Sequence, residues 1–245
     1  MRFEKVTRAS ASAAAFATLL LMPGCIAPPH LGKDEGRAAV VWQHEGRGSP
    51  DAPASAAPAE KNSERELLAE LDVAERKGAD ELTLAATLYR LAILRRQQGE
   101  FAEAERLYRR ALEIRERTQG PNHPEVAAIL NNLGGVEAAQ GHYGAAQPLL
   151  ERALTIRQTA LGSEHVLTAQ SMNNLALLYA AEGNAAAAEP LYRHALSILE
   201  KTDGSQKGEL ERLLDNYAAL LHDTGRDTEA ERLETRARAI RAAGG

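Results

Sequence analysis

Small residues recur along this chain at a fixed interval of 42 positions. Gly99, Gly141, Gly183 and Gly225 form one column, and Ala104, Ala146, Ala188 and Ala230 form a second. Ala111, Ala153, Ala195 and Ala237 form a third; Leu107, Leu149, Leu191 and Leu233, then Ile114, Ile156, Ile198 and Ile240, keep the same spacing. A period of this length marks a chain of supersecondary units, each of which buries its apolar face only by stacking on its neighbours. Gly78 and Ala69 fall in phase with Gly120 and Ala111, so a half-unit precedes the first full one.

Each unit reads as two helices. Leu84, Leu88, Leu91 and Leu94 advance by three or four residues and define an apolar stripe over about 80–98. Gly99 ends that stripe, because it enters the left-handed conformation of a helix C-terminus without steric penalty. A second helix is predicted over about 101–118, and the loop Gly120–Val126 follows, with Pro124 placed to open the next helix where no N–H partner is lost. The alanine columns lie where two antiparallel helices cross and let their backbones approach. Composition agrees: 44% of residues are hydrophobic, many of them Ala, and only 4% are aromatic. That is a helix-former's composition, and it argues against a β-sandwich or an α/β enzyme. A single cysteine excludes an intrachain disulfide framework and a CxxC metal knuckle. The net charge of −5 offers no basic footprint for nucleic acid.

The columns resemble the tetratricopeptide repeat (TPR) in the longer, 42-residue form seen in kinesin light chain. The small-residue column Ala92, Gly134, Ala176 and Ala218 matches that family's small position in the first helix. The runs Leu130–Leu133, Asn173–Tyr179 and Ala111–Glu116 are similar to it as well. The resemblance implies an all-α fold, a right-handed α-solenoid of antiparallel helix hairpins. The expected partition is an N-terminal half-repeat helix and lead-in over 63–84, repeats over 85–126, 127–168 and 169–210, and a fourth repeat with a capping helix over 211–245. The chain departs from the family where a large aromatic is expected late in the first helix. Tyr179 supplies it once, while Arg95, Glu137 and Leu221 stand elsewhere. In the last unit Glu234 replaces Tyr108, Leu150 and Tyr192, as suits a terminal helix whose outer face meets water.

In that family the first helices line a concave face that receives a protein or peptide, and helical phase then selects the groove residues. They are Arg90, Ile93 and Arg96 in the first unit, Asn131 and Asn132 in the second, Asn173, Asn174 and Leu177 in the third, and Asn216 in the fourth. Asparagine is a poor mid-helix residue, yet its amide both donates and accepts, which suits gripping an extended backbone. The alternative is that one Asn of each pair bonds a neighbouring helix and fixes the stacking. Arg90 and Arg96 at one end, with Asp215 and Asp223 at the other, describe either a charge gradient that orients a peptide or a solvated face. His123 and His165 share a phase in the inter-unit loops and read as capping or packing residues. No phosphate loop, HExxH or GxSxG is present, so no catalytic residue, metal or cofactor is expected. One reading is a protein scaffold, with an assembly factor for an envelope machine as a variant of it. A small-ligand binder or hydrolase using the groove, and a homo-oligomer built through a poorly capped end, are others.

The first residues carry an address. Arg2, Lys5 and Arg8 precede the uncharged stretch Ala9–Met22, too short for a membrane-spanning helix and similar to a signal-peptide core over 1–24. Leu21–Cys25 resembles the bacterial lipobox, with Gly24 before the cysteine and Pro23 departing from the pattern. The resemblance implies lipidation at Cys25, membrane attachment through that lipid, and an outer-membrane lipoprotein facing the periplasm. The alternative is an ordinary cleaved signal and a secreted or periplasmic soluble protein. Over 25–62, Pro28, Pro29, Pro50, Pro53 and Pro58 lie among Gly and Ala without apolar periodicity, which predicts a disordered or extended linker.

Overall fold

The computed structural model describes residues 56–243 apart from 79, 203 and 205, with side chains from 64 onward apart from 77. The expected signal, Cys25 and most of the expected linker lie outside the described residues. The described elements are α1 (Ala56–Lys77), α2 (Glu81–Gln97), α3 (Phe101–Gln119), α4 (Pro124–Ala139), α5 (Tyr143–Leu161), α6 (Val166–Ala181), α7 (Ala185–Glu200), α8 (Lys207–Asp223) and α9 (Asp227–Ala242). No strand occurs among the described residues. Hairpins open at Glu81, Pro124, Val166 and Lys207, three or four residues ahead of the boundaries drawn from the sequence columns.

Positive-φ glycines punctuate the chain at half the repeat: Gly78, Gly99, Gly120, Gly141, Gly162, Gly183, Gly204 and Gly225 lie 21 apart. Within each hairpin the turn is built the same way. After α2 the Gly99 N–H donates to the Arg96 carbonyl at 3.0 Å and the Glu100 N–H to the Arg95 carbonyl at 2.9 Å. The same paired bonds recur after α4, α6 and α8. This is the Schellman closure, which satisfies carbonyls that a helix end otherwise leaves bare and requires φ > 0 at its penultimate residue. The turns between hairpins are closed from the other side. The His123 and His165 Nδ1 atoms accept from the Glu125 and Leu167 N–H groups at 3.2 and 3.1 Å, capping α4 and α6, with Pro124 as the first residue of α4.

Every alanine of both columns is fully buried, from Ala104 to Ala230 and from Ala111 to Ala237. Helices pack with their hairpin partners and with the next unit. Beyond that, the backbones of α2 and α4, of α4 and α6 and of α6 and α8 approach closely, whereas α3 and α5, and α7 and α9, meet only through long ion-paired side chains, Arg152 to Glu116 and Arg236 to Glu200. First helices therefore crowd together on one side while second helices fan apart on the other. That asymmetry is curvature, and it makes the first-helix side concave.

Candidate peptide groove

One cavity of about 190 Å³ lies on the concave side and draws on all four first helices. Tyr89 and Arg96 come from α2, and Asn131, Asn132 and Gly135 from α4. Gln170, Asn173 and Asn174 come from α6, Glu209 and Arg212 from α8, and Arg157 reaches in from the second helix α5. Of the nine groove residues expected from helical phase, Arg96, Asn131, Asn132, Asn173 and Asn174 meet at this cavity.

The other four lie elsewhere. Leu177 is a correction: it is 3% exposed and belongs to the packed core beneath the groove. Its helix, α6, touches α4, α5, α7 and α8, so most of its perimeter is interior. Asn216 is likewise buried, with its Nδ2 donating to Asn173 Oδ1 at 3.2 Å. Ile93 packs against the first-unit core. Arg90 is engaged outside the cavity by Glu70 of α1 at 2.7 Å. At the far end Asp215 is held by Arg241 of α9 at 3.0 Å. Arg90 and Asp215 are therefore each paired by a flanking helix. Between them the cavity is lined by Arg96, Arg157, Arg212 and Glu209, the last paired with Arg212.

The asparagines divide between the two roles expected of them. Asn131 is buried and donates through Nδ2 to the Ala127 carbonyl at 3.2 Å and to Ser171 Oγ at 2.7 Å, tying α4 to α6. Asn132, half-buried, donates to Tyr89 Oη and to the Ala128 carbonyl, both at 2.9 Å. Two bonds thus run backwards along the solenoid over 43 residues, Asn132 to Tyr89 and Asn216 to Asn173. The rung between them is open. Asn131 Oδ1 is buried without a partner, and the Asn174 amide, 43 residues on and half-buried, makes no bond to the described residues.

Arg157 is absent from the residues that helical phase selects. It is 6% exposed, and its Nη1 donates to the Leu167 carbonyl at 2.6 Å and to Ser171 Oγ at 3.1 Å. Its Nε is buried without a partner, and no ion pair holds it among the described residues. Burial accordingly pulls its pKa below the usual guanidinium value, opposed by the electrostatic influence of Tyr89, Glu209 and Glu125. Its repeat equivalents are Arg115, Leu199 and Arg241, so the column is arginine in three units of four.

The stacked hairpins and the concave polar cavity define an all-α repeat solenoid, and comparison with known proteins supplies the family. The tetratricopeptide repeat profile matches residues 83–159, 132–201 and 167–243. The chain belongs to the tetratricopeptide repeat family. Among solved structures it is similar to BtubC (BKLC) from P. vanneervenii, at 26% identity over 76% of this chain and 74% of that one, with a TM-score of 0.65. It also shares its fold with the nearly identical TPR-like repeats of a Podosopora anserina kinesin light chain, at 22% identity over 85% of this chain and 94% of that one, with a TM-score of 0.60. No curated protein sequence matches the chain.

Proposed function

We propose that this protein is a membrane-tethered interaction scaffold that holds an extended peptide or a partner's helix in its concave groove. One observation carries the reading: polar side chains from four successive first helices converge on one cavity, and several keep hydrogen-bonding capacity that the fold does not use. A solenoid whose units needed only to stack would close those amides on one another. The Asn132 amide is held in place by Tyr89, and the unengaged Asn174 lies one unit further along. That spacing suits contacts to successive stretches of an extended chain. The tether rests on sequence: the uncharged Ala9–Met22 stretch ends at Gly24 and the chain's single cysteine, Cys25. Acyl chains there would confine the solenoid to a membrane surface, and the proline-bearing stretch up to residue 62 would set its reach.

The groove is tested by replacing Asn174 with a photoreactive residue in cells. A protein adduct is expected at Asn174 and not at the exposed Glu113 on the outer helix α3. Equal capture at both sites, or none at Asn174, rejects the groove. The tether is tested by palmitate labelling, which should follow the wild-type chain and vanish in Cys25→Ala; label that ignores Cys25 rejects it.

A further inference from the structure

We propose that charge of alternating sign at the junctions between units fixes the order in which the hairpins stack. The apolar columns cannot do so. From Ala104 to Ala230 and from Ala111 to Ala237 the residue is the same and fully buried in every unit, so a first helix meets much the same apolar surface on any second helix. Stacking out of order is a characteristic error of repeat chains. A slip of one unit is the easiest such error, because it loops out the least chain. The concave cavity draws on all four first helices, so a slipped stack also loses the groove.

Each first helix is joined, in its second half, to the second helix before it by a polar pair. Arg95 Nη1 meets Glu64 at 2.8 Å, and Arg109 Nη2 meets Glu137 at 2.7 Å. Tyr179 Oη donates to Glu151 at 3.0 Å. Tyr217 Oη accepts from Arg193 Nε at 3.2 Å and donates to Glu189 at 3.0 Å. Along α1, α3, α5 and α7 the charges therefore run Glu64, Arg109, Glu151, Arg193, alternating in sign. The last three lie 42 apart, and Glu64 stands one turn before that column. Packing does not call for charge on the first helices, since Tyr179 and Leu221 take the place of Arg95 and Glu137 in later units. What alternation does is penalise the one-unit slip. Setting α2 on α3 brings Arg95 to Arg109, setting α4 on α5 brings Glu137 to Glu151, and setting α4 back on α1 brings Glu137 to Glu64. Like charges in contact repel. Glu137 bears the largest cost, because it is buried, and a buried carboxylate that loses its cation is strongly unfavourable. A tyrosine hydroxyl both donates and accepts, so Tyr179 and Tyr217 tolerate either sign and the constraint lies on α2 and α4.

The test is refolding of the full chain by dilution from denaturant over a range of protein concentrations. Arg109→Glu with Glu137→Arg keeps a native pair at its own junction but removes the alternation. A slipped α2 then meets opposite charge on α3, and a slipped α4 meets it on α1 and α5. Arg109→Lys with Glu137→Asp disturbs the same contact and keeps both signs. Adding Glu64→Arg, Arg95→Glu and Glu151→Arg to the reversed pair inverts three junctions together. That restores unlike signs along α1, α3 and α5, and leaves Tyr179 facing a cation as Tyr217 faces Arg193. The products are sorted by light scattering and by the hydrogen-exchange pattern of the monomer, at denaturant concentrations that equalise stability. The reversed pair should give at least about threefold more misassembled chain than the sign-keeping pair. The three-junction inversion should return the yield to that of the wild type. Equal yields from the reversed and sign-keeping pairs, or no recovery on inversion, overturns the proposal. If the reversed pair never reaches a native monomer, the inverted chain decides: its folding supports the alternation and its failure rejects it.

Discussion

The second hairpin and the last are built on the same columns and held by different forces. Helices α4 and α5 are enclosed: α4 is buried along most of its length, and α5 packs against both α4 and α6. The backbone of α9 packs against α8 alone among the described elements, and on it only Ala230 and Ala237 are buried. What packing does not supply there is replaced by charge. Arg241 reaches Glu211 at 2.6 Å and Asp215 at 3.0 Å, Arg236 reaches Glu200 at 2.5 Å, and Arg226 reaches Glu189 at 2.8 Å. Exposed pairs of this kind contribute about 0–1 kcal/mol each, against about 2–5 kcal/mol for a buried leucine. In a solenoid whose units see only their neighbours, local stability should fall from the second hairpin towards α9.

The largest expected effect tests the enclosed side. Leu150 is fully buried, and Leu150→Ala should destabilise the whole domain by about 2–5 kcal/mol. Denaturant unfolding measures it, and a loss well under about 1 kcal/mol would mean the second hairpin is not the packed centre. Next comes a matched pair in one column. Ala153→Leu forces apart helices clamped from both sides and should be destabilising by about 1–3 kcal/mol. Ala237→Leu meets the same crossing in a helix free to lean outward, so its effect should be smaller and confined to α9 in hydrogen exchange. Equal global losses would erase the distinction between the two regions. Gly134→Ala is a closer contest. A Cβ there would stand 2.7 Å from Leu150 Cγ, a contact that the buried leucine must move to relieve. Removing a mid-helix glycine gains at most about 1 kcal/mol, so a net loss of up to about 2 kcal/mol is expected, read from the melting temperature.

The same contrast explains what could be read in the sequence. The columns repeat because every unit crosses its helices at the same points, so fold class, turn glycines and buried alanines are all visible as periodicity. The groove is half visible. Phase arithmetic assumes one buried stripe and one open stripe per helix, but α6 has four neighbouring helices, and Leu177 falls on an interior side that a single-stripe wheel draws as open. Asn131 and Asn132 differ by one position, yet one is buried and ties α4 forward to α6 while the other is half-buried and bonds back to Tyr89 of α2; only the packing of the neighbouring units distinguishes them. Arg157 escapes that arithmetic because its column, Arg115, Arg157, Leu199 and Arg241, runs along second helices, and only Arg157 of the four reaches the groove. The buried Glu137, in a position expected to be aromatic, is explained only by Arg109 at 2.7 Å and His142 at 3.1 Å, partners from outside its own helix.

The smallest effect expected is at the exposed end and depends on pH. His222 closes the last hairpin, with Nδ1 2.7 Å from Asp227 and Nε2 3.1 Å from Glu234. Both ring nitrogens face carboxylates, so both must carry a proton for both bonds to form, and only the imidazolium meets that condition. The hydrogen bond to Asp227 foremost, and that to Glu234, raise its pKa above 6.5 in the folded chain. A group whose folded pKa is raised contributes stability that is fully present below its unfolded pKa and is lost as pH rises through the folded value. Protection of the α9 amides, corrected for intrinsic exchange, should therefore be highest near about pH 6 and decline as pH rises towards about 8. Amides of α4 and α5 should not follow it, because nothing in the second hairpin depends on His222. The decline should vanish in His222→Gln and shrink in high salt, which screens exposed charge. A pH response shared by α4 and α9 would mean that the solenoid opens as one body, and the stability gradient from the middle to the end would be wrong.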